Sequence, residues 1–544
     1  MVGLLGGWVV EMQFEEYFSF EAIVGDLIRW RLKGRDVGKL LPPRKEWRRA
    51  DVKERKGVDP ATVRWQAIWR TVRKVCGDVR KCCQPPSLRL RQSGCGNVAS
   101  SQLRWVQNLF QFVEDVRASV FSGKVTFESP KIFQIAKGHE NGIKQFREVA
   151  SFERISDRVI LSRMTAYVRD KLEAELTENC YSFRKDSSIT HQLAVEHLQE
   201  FRARFPEGRL FVAECDIRKF FDNISHETVR RRWNEIGFDS IAGNVLEAYL
   251  KVYTAEDSDS QKRIHSEKGE RRGLPQGGSF STVLANLVLV EADRAVLEAD
   301  DGQLFYARYC DDVVFVHPDE ATCLKVLEIY CDSLSKLDLP IHPLSSFVYR
   351  ALDGKTTDYY ALKSKGPFQW REAGLGEANC APWVSFLGSQ VRYDGETRIR
   401  KESIEKHERS LGRETALAVK WLEDGGLDQA TNEEVGKWFA GFRNRLIAKG
   451  VGYVTAKVKE CNLCWAGAFT QVTDCAETQM QMRRLDRIRE GMLTKVFWLL
   501  PESYRREHHR YKGRPFSYFG FLEKVRRPTN MRYRRHRVFP YSEL

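Results

Sequence analysis

The 544-residue sequence predicts an α+β fold, in which helical stretches enclose a short region of strands. Two observations lead to this prediction. Apolar residues recur at helical spacing on both sides of the middle of the chain, and short apolar runs between Arg209 and Val316 end at acidic residues. Hydrophobic residues make up 42% of the chain, which is enough for sizeable cores and excludes wholesale disorder.

The first 100 residues are predicted to form a basic helical extension, broken at Pro42–Pro43. A serine- and glycine-rich stretch, Ser93–Ser101, predicts the loop that ends it. From about residue 102 to 200 the spacing predicts further helices, with apolar stripes over Leu103–Val113 and Leu161–Leu172.

Strands are predicted next. Leu210–Cys215 is a strand candidate that ends at Asp216, and Leu304–Val316 predicts two strands around a tight turn at Cys310–Asp311. Lys365–Pro382 is predicted as a glycine-rich loop. After residue 400 the chain is predicted to be mostly helical, with a break at Asp424–Gly426.

The acids of these strands indicate a metal site. Asp216 ends one strand, and Asp311 and Asp312 lie at the tip of an apolar hairpin. Buried carboxylates must be paired or bound to a metal, and converging carboxylates on neighbouring strands are typical ligands of two Mg²⁺ ions. A simple polar turn at Asp311–Asp312 is the alternative, which the flanking strands and the upstream acid disfavour.

A glycine pair lies between these acids. Gly277 and Gly278 would let the backbone approach a nucleotide closely, and Ser279 or Ser281 is predicted to cap the helix that follows. An ordinary loop before a helix is the alternative.

In this order the three segments resemble the palm of reverse transcriptases. The stretch from Asp216 to Ile224, Asp-Ile-Arg-Lys-Phe-Phe-Asp-Asn-Ile, resembles motif A. Pro-Gln-Gly at 275–277 with Leu-Ala-Asn at 284–286 resembles motif B, and Tyr-Cys-Asp-Asp at 309–312 resembles motif C. The resemblance implies a right-hand polymerase with fingers, an antiparallel palm sheet and a helical thumb, which adds dNTPs to a DNA product on an RNA template.

The resemblance also implies roles for single residues. Asp216 and Asp311 would bind two Mg²⁺ ions, or Mn²⁺ in their place, with Asp312 assisting and the Ile217 carbonyl as a further ligand. Phe221 would be the steric gate against a ribose 2′-hydroxyl. The contacts to the incoming nucleotide and template would come from Gln276 and Gly277.

The resemblance extends over residues 130 to 410. Upstream, Arg147 with Lys144 or Lys137 is similar to the cations with which the fingers of group II intron and retron enzymes grip the triphosphate. The sequence Tyr-Ser-Phe-Arg at 181–184 is similar to a Tyr-Gly-Phe-Arg signature, with Ser182 in place of glycine, and implies nucleic-acid binding at Arg184.

Downstream, Lys355 is similar to the motif D lysine near the nucleotide. Phe386-Leu-Gly388 resembles the primer grip, which implies that Phe386 and Gly388 contact nucleic acid. The implied domains are an N-terminal extension (1–100), fingers and palm (101–390), a thumb (391–480) and a basic aromatic tail (481–544).

Positive charge lies mostly outside this central segment. The formal net charge is +14, with 17 Lys/Arg against 6 Asp/Glu from Gln481 to Leu544 and 12 against 4 from Arg29 to Gly57. Aromatic residues such as Tyr518 and Phe519 interleave with the cations, which is typical of a nucleic-acid surface. The residues expected to bind nucleic acid in the tail are Arg532, Arg534, Arg535 and Arg537.

Differences from the motifs of intron enzymes limit which group of reverse transcriptases the chain resembles. The usual Gln-Gly-Ser-Pro-x-Ser-Pro of intron enzymes is Gln-Gly-Gly-Ser-Phe-Ser-Thr at 276–282, and the sequence has no HNH-type cluster at its end. The chain looks most like the antiphage defence reverse transcriptases of the group II intron and retron lineage. That likeness implies a dedicated non-coding RNA and a homo-oligomer as partners. An intron maturase, a catalytically idle RNA-binding scaffold and an RNA polymerase stay open as alternatives.

The thirteen cysteines and the apolar stretches bear on location. An odd number of scattered cysteines without a secretion signal predicts reduced thiols and a cytoplasmic protein. Cys461 and Cys464 form a lone CxxC pair without further ligands at zinc spacing. No apolar run is long enough to span a bilayer, so no membrane partner is expected.

Overall fold

A computed structural model describes a large part of the chain, namely residues 12–32, 35–42, 60–76, 103–140, 143–206, 208–252, 271–349, 362–374, 376–451, 465, 469, 471–508 and 517–519. Among these residues, no helix is both long and apolar enough to cross a membrane. The bounds of the helices, in chain order, are α1 (Phe14–Tyr17), α2 (Phe20–Leu32), α3 (Pro60–Cys76), α4 (Arg104–Phe121), α5 (Ile155–Leu172), α6 (His191–Ala203), α7 (Phe220–Asn223), α8 (His226–Ile236), α9 (Ser240–Val252), α10 (Ser279–Glu298), α11 (Glu320–Lys336), α12 (Lys401–Glu423), α13 (Asn432–Val451), α14 (Ala476–Trp498) and α15 (Glu502–Glu507).

The strands form three sheets in the described residues. Their bounds are β1 (Lys131–Glu140), β2 (Ile143–Ser151), β3 (Phe211–Cys215), β4 (Phe305–Tyr309), β5 (Asp312–His317), β6 (Leu344–Ser345), β7 (Ser364–Trp370), β8 (Cys380–Ala381), β9 (Trp383–Phe386), β10 (Ser389–Arg392) and β11 (Thr397–Ile399). We call the β1–β2 pair the outer hairpin and the β4–β5 pair the central hairpin.

The central sheet has the order β4-β5-β3-β7-β6, with β8 also paired to β7. The four strands β4, β5, β3 and β7 pair antiparallel, as the sequence predicts, whereas β6 and β8 each pair parallel to β7. This sheet is the frame on which the acidic residues are arranged.

Each face of the central sheet has its own core, because successive side chains of a strand point to opposite faces. On β5, Val313 and Phe315 join one core, and Val314 and Val316 join the other. The first core includes α10 and α11, and the second includes α6 and the start of the β9–β10 hairpin. Burial on both sides explains why β5 is a nearly continuous apolar run.

The N-terminal helices share the first of these cores. Phe14, Phe20 and Ile23 are buried in it together with residues of α4, α5 and α10. Phe14 packs edge to face on Tyr167 of α5 with ring centroids 4.9 Å apart. Helices α1 and α2 thus pack into the same core as the central helices.

The described part of the chain after residue 400 is mostly helical, as predicted, and the break at 424–426 is confirmed, since α12 ends at Glu423 and α13 begins at Asn432. Helices α12, α13 and α14 enclose their own core. The boundary expected after residue 480 falls inside α14, so the predicted thumb and tail share one helix.

Three sequence predictions are wrong. Helical spacing was expected across residues 102–200, but Lys131–Ser151 forms the outer hairpin. Ser364–Trp370 is a strand and not a loop, because its edge pairs with β3. The N-cap of α10 is Gly278 without a side-chain cap, since Ser281 Oγ donates to the Pro275 carbonyl and Ser279 Oγ lies 3.1 Å from Thr165 Oγ1.

Candidate active site

The three predicted aspartates lie at one edge of the central sheet. Strand β3 pairs antiparallel with β5, with Cys215 opposite Val313, so the next residue, Asp216, is placed opposite Asp312. The central hairpin pairs Tyr309 with Asp312 and turns through Cys310 and Asp311. The predicted tight turn is confirmed.

Crowding of like charge marks this edge. Desolvation of the carboxyl group, followed by the charges of Asp311, Asp216 and Glu214, raises the pKa of Asp312 to about 7. Asp312 is nevertheless exposed at the start of β5, so part of the repulsion is screened by solvent. A bound cation would relieve the remainder.

Backbone contacts fix the position of Asp216. Its N–H donates to Ser364 Oγ at 2.9 Å, and its carbonyl accepts from the His342 N–H at 2.9 Å. The His342 ring also lies close, with Nε2 3.9 Å from Asp216 Oδ2. His342 carries no sequence signal, because only the pairing of residues 340–342 with the segment after β3 brings it here.

Ile217 continues this pairing in a way that suits its predicted role. It forms an antiparallel bridge with Ile341, in which the hydrogen bonds run from Arg218 N to Pro340 O and from His342 N to Asp216 O. In such a pair the two facing residues do not exchange hydrogen bonds. The Ile217 carbonyl is therefore directed away from the bridge.

Two cations that the sequence did not single out lie near the acids. Lys365 Nζ is 2.6 Å from Glu214 Oε2, and the Lys365 side chain is only 6% exposed. Arg400, just before α12, lowers the pKa of Asp312 through its charge. Lys365 thus offsets part of the charge of Glu214, which still acts on Asp312 together with Asp311 and Asp216.

The donor set fits a divalent cation. Asp216, Asp311 and Asp312 offer carboxylate oxygens and Ile217 a carbonyl, which are the ligands that Mg²⁺ and Mn²⁺ prefer. Desolvation is the largest cause of the raised pKa of Asp312, and the charges of Asp311, Asp216 and Glu214 add to it. Among the described residues, the one group of three potential ligands whose atoms all lie within 4.8 Å of one another is Glu396, Cys475 and Glu477. The three aspartates do not form such a group, and Arg392 already pairs with both carboxylates of the group that does.

Backbone contacts tie the predicted nucleotide contacts to one another and to β2. Phe221 in α7 is half-buried against the first core, and its carbonyl accepts from the Leu274 N–H at 2.8 Å. The Gln276 carbonyl accepts from the Ala150 N–H of β2 at 2.7 Å. Gly277 has φ 101°, and a Cβ there would lie 2.5 Å from Val149 Cγ1. Strand β2 thus lies too close for a side chain at position 277. This reason for a glycine could not be found from the sequence alone.

The outer hairpin presents Arg147 to solvent, at a position paired with Ile135. Lys144 lies on the same strand, paired with His139, and its side chain is outside the described residues, as is that of Lys137. Lys355 and the four tail arginines, Arg532, Arg534, Arg535 and Arg537, also lie outside the described residues.

Arg184 differs from its predicted role. Its Nε donates to Glu173 Oε1 at 2.9 Å and its Nη1 to the carbonyls of Thr177 and Cys180, and its side chain is only 8% exposed. These contacts use the guanidinium to tie the 173–184 segment together. Arg184 is therefore a structural residue here and is not placed to bind phosphate.

The predicted primer grip is a tight turn. Leu387 and Gly388 both have positive φ, 49° and 84°, as a two-residue hairpin turn between β9 and β10 requires. The Phe386 side chain is buried in the second core, so it does not face nucleic acid. The Gly388 carbonyl accepts from the Arg400 N–H at 2.9 Å, which joins the turn to the start of α12.

One aromatic residue expected on a nucleic-acid surface is also buried. Tyr518 is 1% exposed, its hydroxyl lies 2.7 Å from His407 Nε2, and its N–H donates to Asp486 Oδ1 at 2.9 Å. Tyr518 anchors the chain to α12 and α14 and is not available for stacking on a base.

Residues 137–350 match the family model described as "Reverse transcriptase (RNA-dependent DNA polymerase)". The chain thus contains a reverse-transcriptase domain, the domain class of RNA-directed DNA polymerases. The match includes all three aspartates and the outer hairpin from residue 137 onward.

Other comparisons are more distant. "Protein YkfC" of Escherichia coli K12 is 28% identical over 149 residues, which are 26% of this chain and 36% of that protein. The chain therefore matches about a third of that relative's length. Telomerase of Candida albicans, solved with a fragment of telomeric RNA, is 14% identical, with 77% of this chain and 68% of that chain covered and a TM-score of 0.35. Apo telomerase of Candida tropicalis is 10% identical, with 89% of this chain and 83% of that chain covered and a TM-score of 0.33.

Proposed function

We propose that this protein is an RNA-directed DNA polymerase that adds dNTPs to a DNA product on an RNA template. The observation that carries the proposal is the register of β3, β5 and the central hairpin, which gathers Asp216, Asp311 and Asp312 at one sheet edge within the reverse-transcriptase match. The central sheet with α10 and α11 is the proposed palm, the outer hairpin belongs to the fingers, and α12–α14 form the thumb.

The aspartates and the Ile217 carbonyl would hold two Mg²⁺ ions, or Mn²⁺ in their place. When bound, these ions activate the attacking 3′-hydroxyl and stabilise the pyrophosphate that leaves. Asp216 and Asp311 are the proposed shared ligands, and Asp312 assists. The ammonium group of Lys365 pairs with Glu214 and offsets part of the charge with which that carboxylate raises the pKa of Asp312.

Other residues position the substrates. Arg147, which β2 exposes to solvent, grips the triphosphate of the incoming nucleotide, and Lys144 or Lys137 is the second cation on sequence resemblance alone. Phe221 lies against its sugar and excludes a 2′-hydroxyl, and Gln276 and Gly277 contact the incoming nucleotide and the template. Lys355 stays a proposed motif D lysine on sequence resemblance alone.

The primer strand passes the turn at Leu387–Gly388. The Arg400 N–H donates to the Gly388 carbonyl of that turn, and the charge of Arg400 lowers the pKa of Asp312. The turn, the start of helix α12 and the aspartates are therefore close together. A primer held at the turn would bring its 3′ end to the aspartates. The backbone of this turn, and not the Phe386 ring, is the proposed contact.

Removal of one metal ligand tests the polymerase proposal. Asp311→Asn or Asp216→Asn keeps the shape of the side chain but replaces a carboxylate with a poor Mg²⁺ ligand. We expect primer extension on an RNA template to fall about a thousandfold or more. Asp332→Asn, an exposed acid on α11, is the matched control and should extend primers like the unmodified protein. Synthesis by purified Asp311→Asn at the unmodified rate would contradict the assignment.

The proposed biological role is bacterial antiphage defence in the cytoplasm, together with a dedicated non-coding RNA. The support is the sequence resemblance to defence-associated enzymes and the basic blocks at Arg29–Gly57 and Gln481–Leu544, which lie outside the central segment. Each phosphate contact made by the tail arginines should contribute about 0.7–0.9 to the slope of log affinity against log salt.

Sequencing of the RNA that copurifies with the protein from its native locus tests this role. One dominant RNA, required both for DNA synthesis and for phage resistance, is the expected result. A random mixture of cellular RNA, whose removal leaves synthesis unchanged, would contradict it and would favour a polymerase without a dedicated partner.

A further inference from the structure

We propose that Ser182 is a positioning residue, whose buried hydroxyl holds the tip of the central hairpin so that Asp311 and Asp312 face Asp216. The catalytic part of this inference rests on the proposed polymerase function. Its structural part, a clamp on the peptide group before Asp311, stands on contacts that do not depend on that function.

The hairpin tip needs an external clamp because its backbone is unfavourable. Cys310 has φ 60°, in the left-handed region that residues other than glycine rarely adopt. It is also buried, so water does not satisfy its peptide groups. The conformation that aims Asp311 must therefore be maintained by neighbouring side chains.

Two side chains hold the backbone groups of Cys310. The Cys310 N–H donates to Ser182 Oγ at 3.0 Å, and the Cys310 carbonyl accepts from Arg308 Nη1 at 3.2 Å. The residue with the strained φ is thus fixed on both sides, directly before the first aspartate of the pair.

Asn286 determines which way the Ser182 hydroxyl points. Ser182 Oγ donates to Asn286 Oδ1 at 3.0 Å, and Asn286 Nδ2 donates to the Ser182 carbonyl at 2.7 Å. The same Asn286 Oδ1 accepts from Arg308 Nη1 at 3.0 Å, which fixes the orientation of the amide. Since the hydroxyl proton is used on Asn286, a lone pair of Ser182 Oγ faces the Cys310 N–H.

A buried ion pair fixes the Arg308 side chain that contacts Asn286 and Cys310. Arg308 and Asp293 have fully buried side chains, and Arg308 Nε and Nη2 both donate to the Asp293 carboxylate. The Tyr306 hydroxyl donates to Asp293 Oδ1 at 2.6 Å. A two-point contact in a dry site leaves the guanidinium little freedom, so its third arm reaches Asn286 and Cys310 in one geometry.

Backbone pairing brings Ser182 to the hairpin. The Tyr181 N–H donates to the Arg308 carbonyl, and the Arg308 N–H donates to the Asn179 carbonyl, each at 2.9 Å. In the resembled signature the position of Ser182 is glycine, which has no hydroxyl. The clamp is accordingly a property of this chain and gives its Tyr-Ser-Phe-Arg segment a role that Arg184 does not fill.

Hydrogen exchange tests the clamp without any assay of activity. Ser182→Ala removes the acceptor of the Cys310 N–H, so a peptide that spans the hairpin tip should exchange faster by mass spectrometry. Ser182→Gly, which adds no volume, is a second variant in case alanine disturbs folding. Ser225→Ala is the matched control, because this buried serine also accepts from a backbone N–H, that of Thr228 at the start of α8. Unchanged exchange at the tip in both Ser182 variants would overturn the clamp.

Single-turnover primer extension, on an RNA template with a DNA primer, tests the positioning role. We expect the rate of nucleotide addition by Ser182→Ala to fall about 10- to 100-fold, as for a small misplacement of catalytic groups, with little change in the dNTP concentration for half-maximal rate. A merely structural loss would instead lower the fraction of active molecules and leave their rate intact.

The two measurements separate the possible failures. Faster exchange at the tip with an unchanged rate per active molecule would overturn the positioning role. If the unmodified protein extends no primer while the Ser182 variants still exchange faster at the tip, the clamp is supported and the polymerase proposal fails.

Discussion

The protein contains two antiparallel hairpins that bear residues of the proposed site, and they are embedded very differently. The central hairpin is covered on both faces, with Tyr306 and Phe315 on one side and Ala307 and Val314 on the other. The outer hairpin exposes large apolar side chains instead, with Phe133 at 51%, Ile135 at 54% and Phe146 at 47%.

This difference matches what each hairpin has to do. Carboxylates that hold a metal pair must keep one geometry before substrate arrives, so their hairpin is buried and clamped. A site that binds a nucleotide must first admit it. The exposed outer hairpin is joined to the segment before α10 by the Ala150–Gln276 hydrogen bond, and it leaves Arg147 in solvent. The same local structure thus serves either for rigidity or for access, depending on its packing.

The largest loss of stability is expected when the buried ion pair of the central hairpin is broken. Arg308→Met leaves Asp293 buried without its cation, and breaking such a pair costs about 3–5 kcal/mol of the free energy of unfolding. Urea unfolding followed by tryptophan fluorescence measures the loss. A change below about 0.5 kcal/mol, the usual range of surface substitutions, would contradict the contrast between the hairpins.

The double variant Asp293→Leu with Arg308→Met sharpens this test. Apolar residues of similar volume often replace a buried ion pair at little cost, so part of the stability should return. Catalysis should not return, because the Arg308 contacts to Asn286 and Cys310 remain absent. Recovery of both would mean that the ion pair does not position the tip.

A smaller effect is expected at Phe221, which is half-buried and so is intermediate in burial between the central hairpin and the outer hairpin. Phe221→Ala opens space beside the proposed sugar position, and the ratio of efficiencies for rNTP over dNTP should rise about 10- to 200-fold. The ratio is measured on one preparation, so a loss of folded protein cancels. Leu274→Ala, a buried neighbour whose N–H meets the Phe221 carbonyl, controls for core damage and should leave the ratio unchanged. An unchanged ratio in Phe221→Ala would assign that ring to the core alone.

The three aspartates of the site could be predicted from the sequence, because the segments that contain them are short and each can be recognised from adjacent residues. A strand that ends at Asp216 and a short apolar hairpin around Asp311 follow from adjacent residues, and the sheet pairing places them together. The outer hairpin was missed because its exposed apolar residues do not show the one-sided alternation of a half-buried strand. Strand β7 was missed because its glycine and proline indicate a loop, whereas pairing with β3 decides the outcome.

Residues that act through distant contacts were not predictable. His342 reaches Asp216 and Lys365 reaches Glu214 only because segments far apart in the chain pair beside β3. Arg184 and Phe386 had motif-based roles in binding nucleic acid, but their side chains are used for internal contacts. A motif gives the position of a backbone segment more reliably than the direction in which each of its side chains points.

The smallest effect is expected on the outer hairpin, where Arg147→Ala should weaken nucleotide binding without weakening the fold. Loss of one charge-assisted contact at an exposed site should raise the dNTP concentration for half-maximal rate about tenfold, and the free energy of unfolding should change by less than about 0.5 kcal/mol. Lys131→Ala is the matched control on the same hairpin, since Lys131 pairs with Glu153 at the surface and should change neither quantity appreciably. Steady-state kinetics and urea unfolding on the same samples measure both quantities. If Arg147→Ala instead lowers the unfolding free energy as much as Arg308→Met does, the outer hairpin is as firmly built as the central one. Its exposed side chains would then need another explanation than access for the nucleotide.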